Sequence, residues 1–362
     1  MSGGTNRGQG SISVLKFIKE KMSLILQLLV IITIAGITVF LMFRGKEARK
    51  IIHCLKEAKK CWIGVAIVLM VFFLFVEAVQ LKMIFKGMAE KLSLWKCFLL
   101  SNVEYFFAQV TPGAAGGQPI QMIFMSRFGV DVLVGALACM MIAVLYKSAF
   151  LTIFLVALIA RRPFVCNAIS RVPILFTFGV CFQVISIGFL LLCIFRPSVA
   201  SVIVNGLITC GGKLHILKHP EETRQKAADS IAMYRRGSTY LKENKFAVFR
   251  MFLYTIVQRL AYFSVTFCVA KSLGVPHVDW FGVVAVQAIL SLSVDALPIP
   301  GAAGANELVF VNLQRKLFEP EIMAAGLLLN RGITYYFLLI CCGIFTILCN
   351  LAARRKNRVQ NG

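Results

Sequence analysis

Long apolar segments dominate this sequence and limit what it can fold into. Six of them reach the length of a membrane-spanning helix, about 20 apolar residues: 22–43, 61–85, 130–160, 172–195, 247–270 and 322–351. Only 15% of the residues are charged, whereas a soluble domain carries about 25%. So few charges cannot cover a protein of this size in water. The sequence therefore predicts an all-α, polytopic integral membrane protein and excludes a soluble enzyme.

Two further apolar stretches, 97–126 and 279–312, are broken in the middle by proline and glycine. The pentapeptide PGAAG occurs in both, at 112–116 and 300–304. Proline cannot continue a helix, and non-helical backbone survives at membrane depth only inside protein or along a cavity. The pattern predicts two re-entrant segments, and six to eight transmembrane helices in total.

The two halves of the sequence also share a buried cation. Lys147 and Arg331 each lie in the apolar helix after a PGAAG motif. The motifs are 188 residues apart and the cations 184, which indicates an internal repeat. Counting Lys and Arg on each side favours re-entry of both broken stretches, one from the cytoplasm and one from outside. This is an inverted repeat, an arrangement found in many transporters.

The predicted topology places both termini in the cytoplasm and the protein in the cell membrane. It divides the chain into a cytoplasmic N-terminal segment, 1–21, a transmembrane domain, 22–352, and a basic cytoplasmic tail, 353–362. A basic cytoplasmic loop, 213–246, is too short to build an enzyme active site. Segment 44–60 is amphipathic and predicts a helix lying in the membrane interface.

Composition excludes several other classes of function. The net charge is +23, but most basic residues flank apolar segments, where they set topology and contact anionic lipid headgroups. A nucleic-acid partner is therefore not expected. The 12 cysteines and 4 histidines form no cluster with metal-ligand spacing, and no nucleotide motif is present. We expect neither a metal nor a cofactor.

Ionisable residues inside the apolar segments are the candidate functional groups: Glu77, Glu104, Lys147, Arg259, Asp295, Glu307 and Arg331. Each costs about 2.5–3.5 kcal/mol unless it faces water or a partner. One interpretation is internal salt bridging that fixes helix packing. The other is a polar path for a lipid headgroup. Phosphate would then bind Lys147, Arg259 or Arg331, and an amino group would bind Glu104, Asp295 or Glu307.

The two broken stretches allow two interpretations as well. A half-helix that begins after a break directs free N–H groups at a cavity, which favours anions. The residues just past the breaks would line that site: Gln118, Gln121, Asn306 and Glu307. The alternative is a packing kink without a ligand.

These residues resemble the membrane domain of the lysylphosphatidylglycerol synthase/flippase proteins, the multiple peptide resistance factor family. The resemblance covers about residues 15–352. It rests on a PGxxGG-type break at 112–117, a P-x-P-G-x-x-G-x-x-E signature at 298–307 and the late-helix cation Arg331. The re-entrant motif residues are Pro112, Gly113, Gly116, Gly117, Gln118, Pro298, Pro300, Gly301, Gly304 and Asn306.

The resemblance implies a flippase-like protein that moves an anionic or aminoacylated phospholipid between leaflets, an activity tied to antibiotic resistance. Full-length members also carry a soluble domain that transfers lysine from lysyl-tRNA to phosphatidylglycerol. This chain stops at Gly362, so we expect no lysyltransferase activity from it alone, and a separate synthase as a partner. The alternatives are a phosphatidylglycerol lysyltransferase-type protein acting with a partner, a small-solute transporter, or a partner-binding membrane protein.

Overall fold

A computed structural model of the protein describes residues 48–199, 201, 202, 206, 209 and 220–360, and every regular element in this part of the chain is a helix. The predicted N-terminal segment, 1–21, and first membrane helix, 22–43, lie outside the described residues. The α-helices are α1 Ala48–Glu57, α2 Lys60–Gly87, α3 Leu94–Val110, α4 Gly117–Arg127, α5 Val132–Ala160, α6 Arg162–Ile169, α7 Pro173–Phe195, α8 Pro220–Glu243, α9 Lys245–Ser272, α10 Trp280–Val294, α11 Ala305–Leu313, α12 Pro320–Arg331 and α13 Leu338–Gln360.

Five helices of the described part are long and apolar enough to cross a membrane: α2, α5, α7, α9 and the continuous α12–α13 rod, Pro320–Arg354. They coincide with five of the six long apolar segments of the sequence. Such helices are apolar all round, because lipid contacts one face and protein the other. The predicted fold class is thereby confirmed for the described residues.

The first broken stretch folds as a helical hairpin. Its chain runs along α3, turns through a short 3-10 helix, Pro112–Ala114, and returns along α4. Gln121 on α4 donates to the carbonyl of Leu100 on α3 at 3.2 Å. At the base of the hairpin, the Lys96 ammonium lies 5.5 Å from the centre of the Phe128 ring. Because both ends of the hairpin meet there, this segment enters and leaves on the same side.

The second broken stretch repeats this hairpin. Helix α10 leads into a 3-10 helix, Pro300–Ala302, and α11 returns along it. Gly282 at the start of α10 and Leu313 at the end of α11 line one small cavity of about 180 Å³. The equivalent helices of the two halves therefore follow the same path.

The 3-10 turns at the two hairpin tips, here called the first and second break, have the same backbone conformation. In the first break, Gly113 and Ala114 have φ values of 59° and 56°; in the second, Gly301 and Ala302 have 56° and 50°. A left-handed alanine is unfavourable by roughly 1–2 kcal/mol. Two copies of the same unfavourable conformation in the same pentapeptide confirm that the repeat is structural.

The two tips meet near the middle of the protein, since the first break contacts the second. Helix α5 begins beside the base of the first hairpin and ends at Arg161, which pairs with Asp279 at the base of the second. Its 29 residues cover about 43 Å at about 1.5 Å per residue. The hairpins consequently enter from opposite ends of the bundle, and Lys147 lies halfway along α5.

Helices α2 and α9, which are equivalent in the two halves, pack antiparallel along their whole length. Lys59 at the start of α2 donates its N–H to the carbonyl of Ser272 at the end of α9, at 2.9 Å. Between them, Gln80 donates to the Thr255 hydroxyl at 2.6 Å and Gln258 to the Phe73 carbonyl at 2.9 Å. Inside a lipid bilayer the hydrophobic effect does not drive helices together, so hydrogen bonds between polar side chains help to hold them in contact.

Buried apolar residues form two large clusters, one toward each end of the bundle. On α5, Val134–Leu145 belongs to one cluster and Phe150–Ala157 to the other. Tyr146, Lys147 and Ser148 lie between them. A polar layer thus separates the two apolar cores, at the level where the hairpin tips meet.

The described connecting segments are largely helical. Most of the described part of the basic loop 213–246 is one helix, α8, which packs against α5. Its Tyr234 and Ser238 hydroxyls donate to the carbonyls at the end of α7. Segment 44–60 contains the helix α1, which packs against α12. Helix α13 continues through most of the predicted tail, to Gln360.

Two glycines of α7 test this packing. A methyl group on Gly179 would overlap the Leu292 carbonyl of α10, whereas Gly188 has no atom within 4 Å of that position. We expect Gly179→Ala to lower the stability by about 1–3 kcal/mol. Gly188→Ala, on the same helix, should change it by less than about 1 kcal/mol. The melting temperature in detergent measures both, and equal effects would contradict the close approach of α7 to α10.

Candidate functional site

A cavity of about 540 Å³ lies beside the first break, between α2, α3, α5, α7 and α9. We call it the first cavity. Its polar lining residues are Glu77, Glu104, Tyr105, Gln118, Tyr146, Lys147, Ser186, Arg259 and Asp295. A cavity with so many polar groups at the middle of an apolar bundle is typical of a substrate path.

A second cavity, of about 240 Å³, lies beside the second break. Its polar residues include Gln109, Asn306, Thr334 and Arg331. The two cavities share a wall that contains Gly113 and Ala114 of the first break, together with Arg259 and Asp295. The hairpin tips therefore separate two polar chambers, and one cation faces both.

Arg259 has no ion-pair or hydrogen-bond partner among the described residues, and its Nε is fully buried. The guanidinium lies 5.0 Å from the centre of the Phe73 ring, 5.2 Å from Tyr146 and 5.3 Å from Phe150. Aromatic faces stabilise a cation but leave its N–H groups free. Since a guanidinium binds phosphate or carboxylate oxygens with two parallel hydrogen bonds, Arg259 is a preorganised anion-binding group.

Lys147 is held loosely in the first cavity. Its ammonium donates to Gln183 Oε1 at 2.9 Å and lies 3.5 Å from Asp295 Oδ2. The Tyr146 and Phe182 rings flank it. Asp295 follows the last turn of α10, next to the second break, and its side chain is 30% exposed. A wide ion pair with a partly exposed partner can open to admit another anion.

Arg331, the equivalent cation of the second half, is held tightly. Its Nε donates to Glu307 Oε1 at 2.6 Å and a terminal nitrogen donates to the Gly301 carbonyl at 3.1 Å. The other Glu307 oxygen accepts from the Gly304 N–H at 2.5 Å. This pair ties α12 to the second break and to the start of α11, so both oxygens of Glu307 are occupied.

The backbone directly after Arg331 is a π-helix, Gly332–Phe337. π-Helical turns are rare in proteins, and those that occur are often found at functional sites. Here the π-helix carries Tyr335, whose ring lies 4.6 Å below the Arg331 guanidinium and against Gly301. The equivalent part of α5 is regular, so the two halves differ at this point.

Two buried carboxyl groups, Glu77 on α2 and Glu104 on α3, form one side of the first cavity. Glu77 Oε2 accepts from the Tyr105 hydroxyl and, at 3.5 Å, from Gln258. Glu77 Oε1 and Glu104 Oε2 are buried without a hydrogen-bond partner. The two carboxyls lie close enough to interact directly, and Arg259 acts electrostatically on both.

The structure brings together four of the six headgroup residues expected from the sequence: Lys147, Arg259, Glu104 and Asp295 line the first cavity. Arg331 lines the second cavity. Glu307 lines neither of these two cavities, and its two oxygens bind Arg331 and the Gly304 N–H. Gln121 lines neither cavity either; its amide donates to the Leu100 carbonyl and its Oε1 accepts from the Cys139 thiol.

Some of the re-entrant motif residues line the cavities, and others shape the turns. Gln118 lines the first cavity and donates to the Cys139 carbonyl at 3.2 Å, while Asn306 lines the second. The Gly116 N–H donates to the Thr111 hydroxyl at 2.9 Å. Gly117 lies against the Glu104 carbonyl, where a side chain would crowd α3. Pro112 and Pro300 begin the two 3-10 turns, Gly304 precedes α11, and Pro298 lies against Gly113 of the first break.

Sequence reasoning missed the aromatic and amide residues around the cations. Gln183 is 1% exposed and lies within an otherwise apolar helix, which is a signal comparable to that of the buried charges. Tyr146 and Phe73 carry no such signal, since aromatic residues are common throughout these segments. Their role follows only from the position of Arg259 among them.

The ion pairs Arg331–Glu307 and Lys147–Asp295 can be compared by two double-mutant cycles. Breaking a buried ion pair by removing one partner costs about 3–5 kcal/mol, and removing both costs less than the sum. We expect a coupling energy near the upper end of about 0.5–3 kcal/mol for Arg331→Gln with Glu307→Gln. Lys147→Gln with Asp295→Asn should give a clearly smaller value. Unfolding of the purified variants measures both cycles; a larger coupling for the second pair would contradict this distinction.

The rim of the first cavity faces the surroundings of the bundle. Phe182 and Phe189 of α7 line the cavity and are also 43% and 55% exposed. The outward surface of α7 is apolar, with exposed residues such as Ile174, Ile185 and Leu192. The charged interior therefore opens sideways, past aromatic rings, onto the face that contacts lipid.

Comparison with known proteins agrees with this architecture. Residues 24–342 match the family described as the lysylphosphatidylglycerol synthase TM region. The chain is also 22% identical, over 301 residues, to a UPF0104 membrane protein of Archaeoglobus fulgidus; the match covers 82% of this chain and 89% of that protein. The family match spans most of the chain, including both hairpins and all the buried charges described above. The protein belongs to the lysylphosphatidylglycerol synthase transmembrane-region family.

Proposed function

We propose that this protein is a flippase-like membrane protein that moves a polar-headed phospholipid between the two leaflets. One observation carries the proposal. The first cavity joins a charged interior to an exposed aromatic rim on the lipid-facing side of α7. A phospholipid has the complementary form, with a charged head and apolar tails. A small soluble solute would not need an opening toward lipid.

The two loosely held cations are suited to the phosphate of the headgroup. Arg259 offers free N–H groups, and Lys147 lies across the same cavity with a 3.5 Å ion pair that can be replaced. Together they would replace the water that a phosphate loses on leaving the membrane surface. Arg331, which is engaged by Glu307 and Gly301, would shape the second cavity and contribute its remaining N–H groups there.

The carboxyl groups of the first cavity favour a headgroup that also carries an amine. Glu104 has a buried oxygen without a partner, and Asp295 is partly exposed to the cavity. A headgroup with phosphate alone would offer these carboxyl groups no cation to bind. We therefore propose an aminoacylated phosphatidylglycerol-type lipid, made by a separate synthase, as the transported substrate.

The path follows the meeting point of the hairpins. A headgroup that passes from the first cavity to the second crosses the wall formed by Gly113, Ala114, Arg259 and Asp295. The hairpins enter from opposite ends of the bundle, so displacement of one tip relative to the other would open one cavity and close the other. This is the alternating-access scheme of inverted-repeat transporters.

Leaflet exchange in proteoliposomes tests the proposal. The purified protein is reconstituted with headgroup-labelled lysylphosphatidylglycerol or, separately, phosphatidylglycerol, and a membrane-impermeant quencher is added. We expect faster loss of protected signal than in protein-free vesicles, and a reduction of at least about tenfold, or about 1.4 kcal/mol, for Arg259→Ala and Lys147→Ala. Arg250→Ala, an exposed cation on the same helix as Arg259, is the matched control.

Other outcomes separate the competing functions. Equal exchange of both lipids would indicate a nonselective scramblase. Wild-type exchange in both cavity variants would contradict the site assignment. Exchange of neither lipid, combined with uptake of a water-soluble solute or with lysine transfer from charged tRNA, would favour the transporter or the synthase interpretation instead.

A further inference from the structure

The first cavity contains more acid than base. Its lining includes three carboxyl groups, Glu77, Glu104 and Asp295, and two cations, Lys147 and Arg259. Lys147 is within 3.5 Å of Asp295. Arg259 is then shared between Glu77 and Glu104, and one negative charge is left without compensation. An isolated charge in a low-dielectric interior is so unfavourable that the group is neutralised instead.

The geometry around the remaining pair is suited to a single proton. Glu77 Oε1 and Glu104 Oε2 are both buried and both lack a hydrogen-bond donor. A proton on one carboxyl would supply the missing donor to the other. Two carboxyls that share one site commonly hold one proton between them, as a property of the pair.

The groups that face this pair come from every helix packed around it. Glu77 contacts Tyr105 of α3 and Gln258 of α9. The other polar or titratable groups whose electrostatic or hydrogen-bonding influence reaches the pair are Arg259 of α9, Gln121 of α4, Cys139 and Tyr146 of α5, and Cys342 of α13. Tyr146, Lys147 and Asp295 lie farther along the same cavity. Arg259 is the cation of this set that acts on both carboxyls.

We propose that Glu77 and Glu104 form a proton-binding site that takes up and releases one proton through the first cavity, in competition with the ammonium group of the bound headgroup. Without a headgroup, the proton balances the excess negative charge. A lysylphosphatidylglycerol headgroup brings two ammonium groups and one phosphate, hence one net positive charge. Its arrival therefore allows the proton to leave to water, and the charge of the occupied cavity stays unchanged.

The competition rests on the function proposed above, because it names the same occupant. The competition also identifies the proton as the ion whose movement is coupled to that of the lipid. Each inward movement of the cationic headgroup into the cavity would be accompanied by release of one proton, so a proton gradient would drive the lipid. Phosphatidylglycerol, which brings one net negative charge, would retain the proton on the carboxyl pair.

Infrared spectroscopy tests the site without any transport assay. In an H₂O-minus-D₂O difference spectrum, where the lipid ester bands cancel, the purified protein in phosphatidylcholine nanodiscs at neutral pH should show the C=O stretching band of a protonated carboxyl group. Transfer to D₂O should shift the band, since the proton exchanges through the cavity. Glu77→Gln and Glu104→Gln should each abolish it, because the single remaining carboxylate then pairs with Arg259. Glu319→Gln, at an exposed carboxyl before α12, should leave it unchanged.

Addition of lysylphosphatidylglycerol should remove at least half of the band, whereas phosphatidylglycerol should not reduce it. Absence of the band in the wild type, or its persistence in both Gln variants, overturns the proton site. A band that is insensitive to lysylphosphatidylglycerol overturns the competition. Failure of leaflet exchange while the band responds to both substitutions and to lysylphosphatidylglycerol would reject lipid movement but support the proton site. Melting temperatures confirm that each variant is folded, and the wild-type measurement needs no variant.

Discussion

The unfavourable free energy of a charge at membrane depth governs the arrangement of this protein. The seven candidate ionisable residues lie in apolar segments, and the fold gathers them into one polar layer between two apolar clusters. Arg331 is neutralised by Glu307, and Lys147 is partly neutralised by Asp295. Arg259 and the Glu77–Glu104 pair have no such complete partner. These uncompensated groups all line the first cavity, where an external charged group can satisfy them.

The hairpin tips make this layer possible. A continuous helix would fill the middle of the bundle, and its backbone groups would all be hydrogen-bonded within the helix. Each break instead ends the helix near the middle of the bundle and places a turn there. The left-handed Gly–Ala pairs at both tips are unfavourable by themselves. They are maintained because each tip is fixed by the opposite hairpin and by side chains such as Arg331, which binds the Gly301 carbonyl. Strain of this kind is typical of functional sites.

The two halves have similar backbone folds, but the side chains at equivalent positions differ in their environments. Helices α2 and α9, the two hairpins, and α5 and the α12–α13 rod correspond in order and packing. The equivalent cations do not correspond in environment. Arg331 is followed by a π-helix and is bound on two sides, while Lys147 has an amide and a distant carboxylate. The two chambers are therefore chemically unlike, although the helices that form them correspond.

The sequence alone determined the elements that depend on local physical chemistry: the apolar helices, the Pro- and Gly-driven breaks, the repeat, and the identity of the buried charges. These follow from segment length, backbone restriction and the rarity of charge in lipid. Tertiary structure alone decided which charges are free. The sequence marks Glu307, Arg331, Glu104 and Arg259 alike as charges inside apolar segments, yet the first two bind each other and the second two face a cavity. Pairing depends on which helices pack side by side, and residues such as Glu77 and Gln258 meet across 181 positions of sequence only because α2 and α9 run antiparallel.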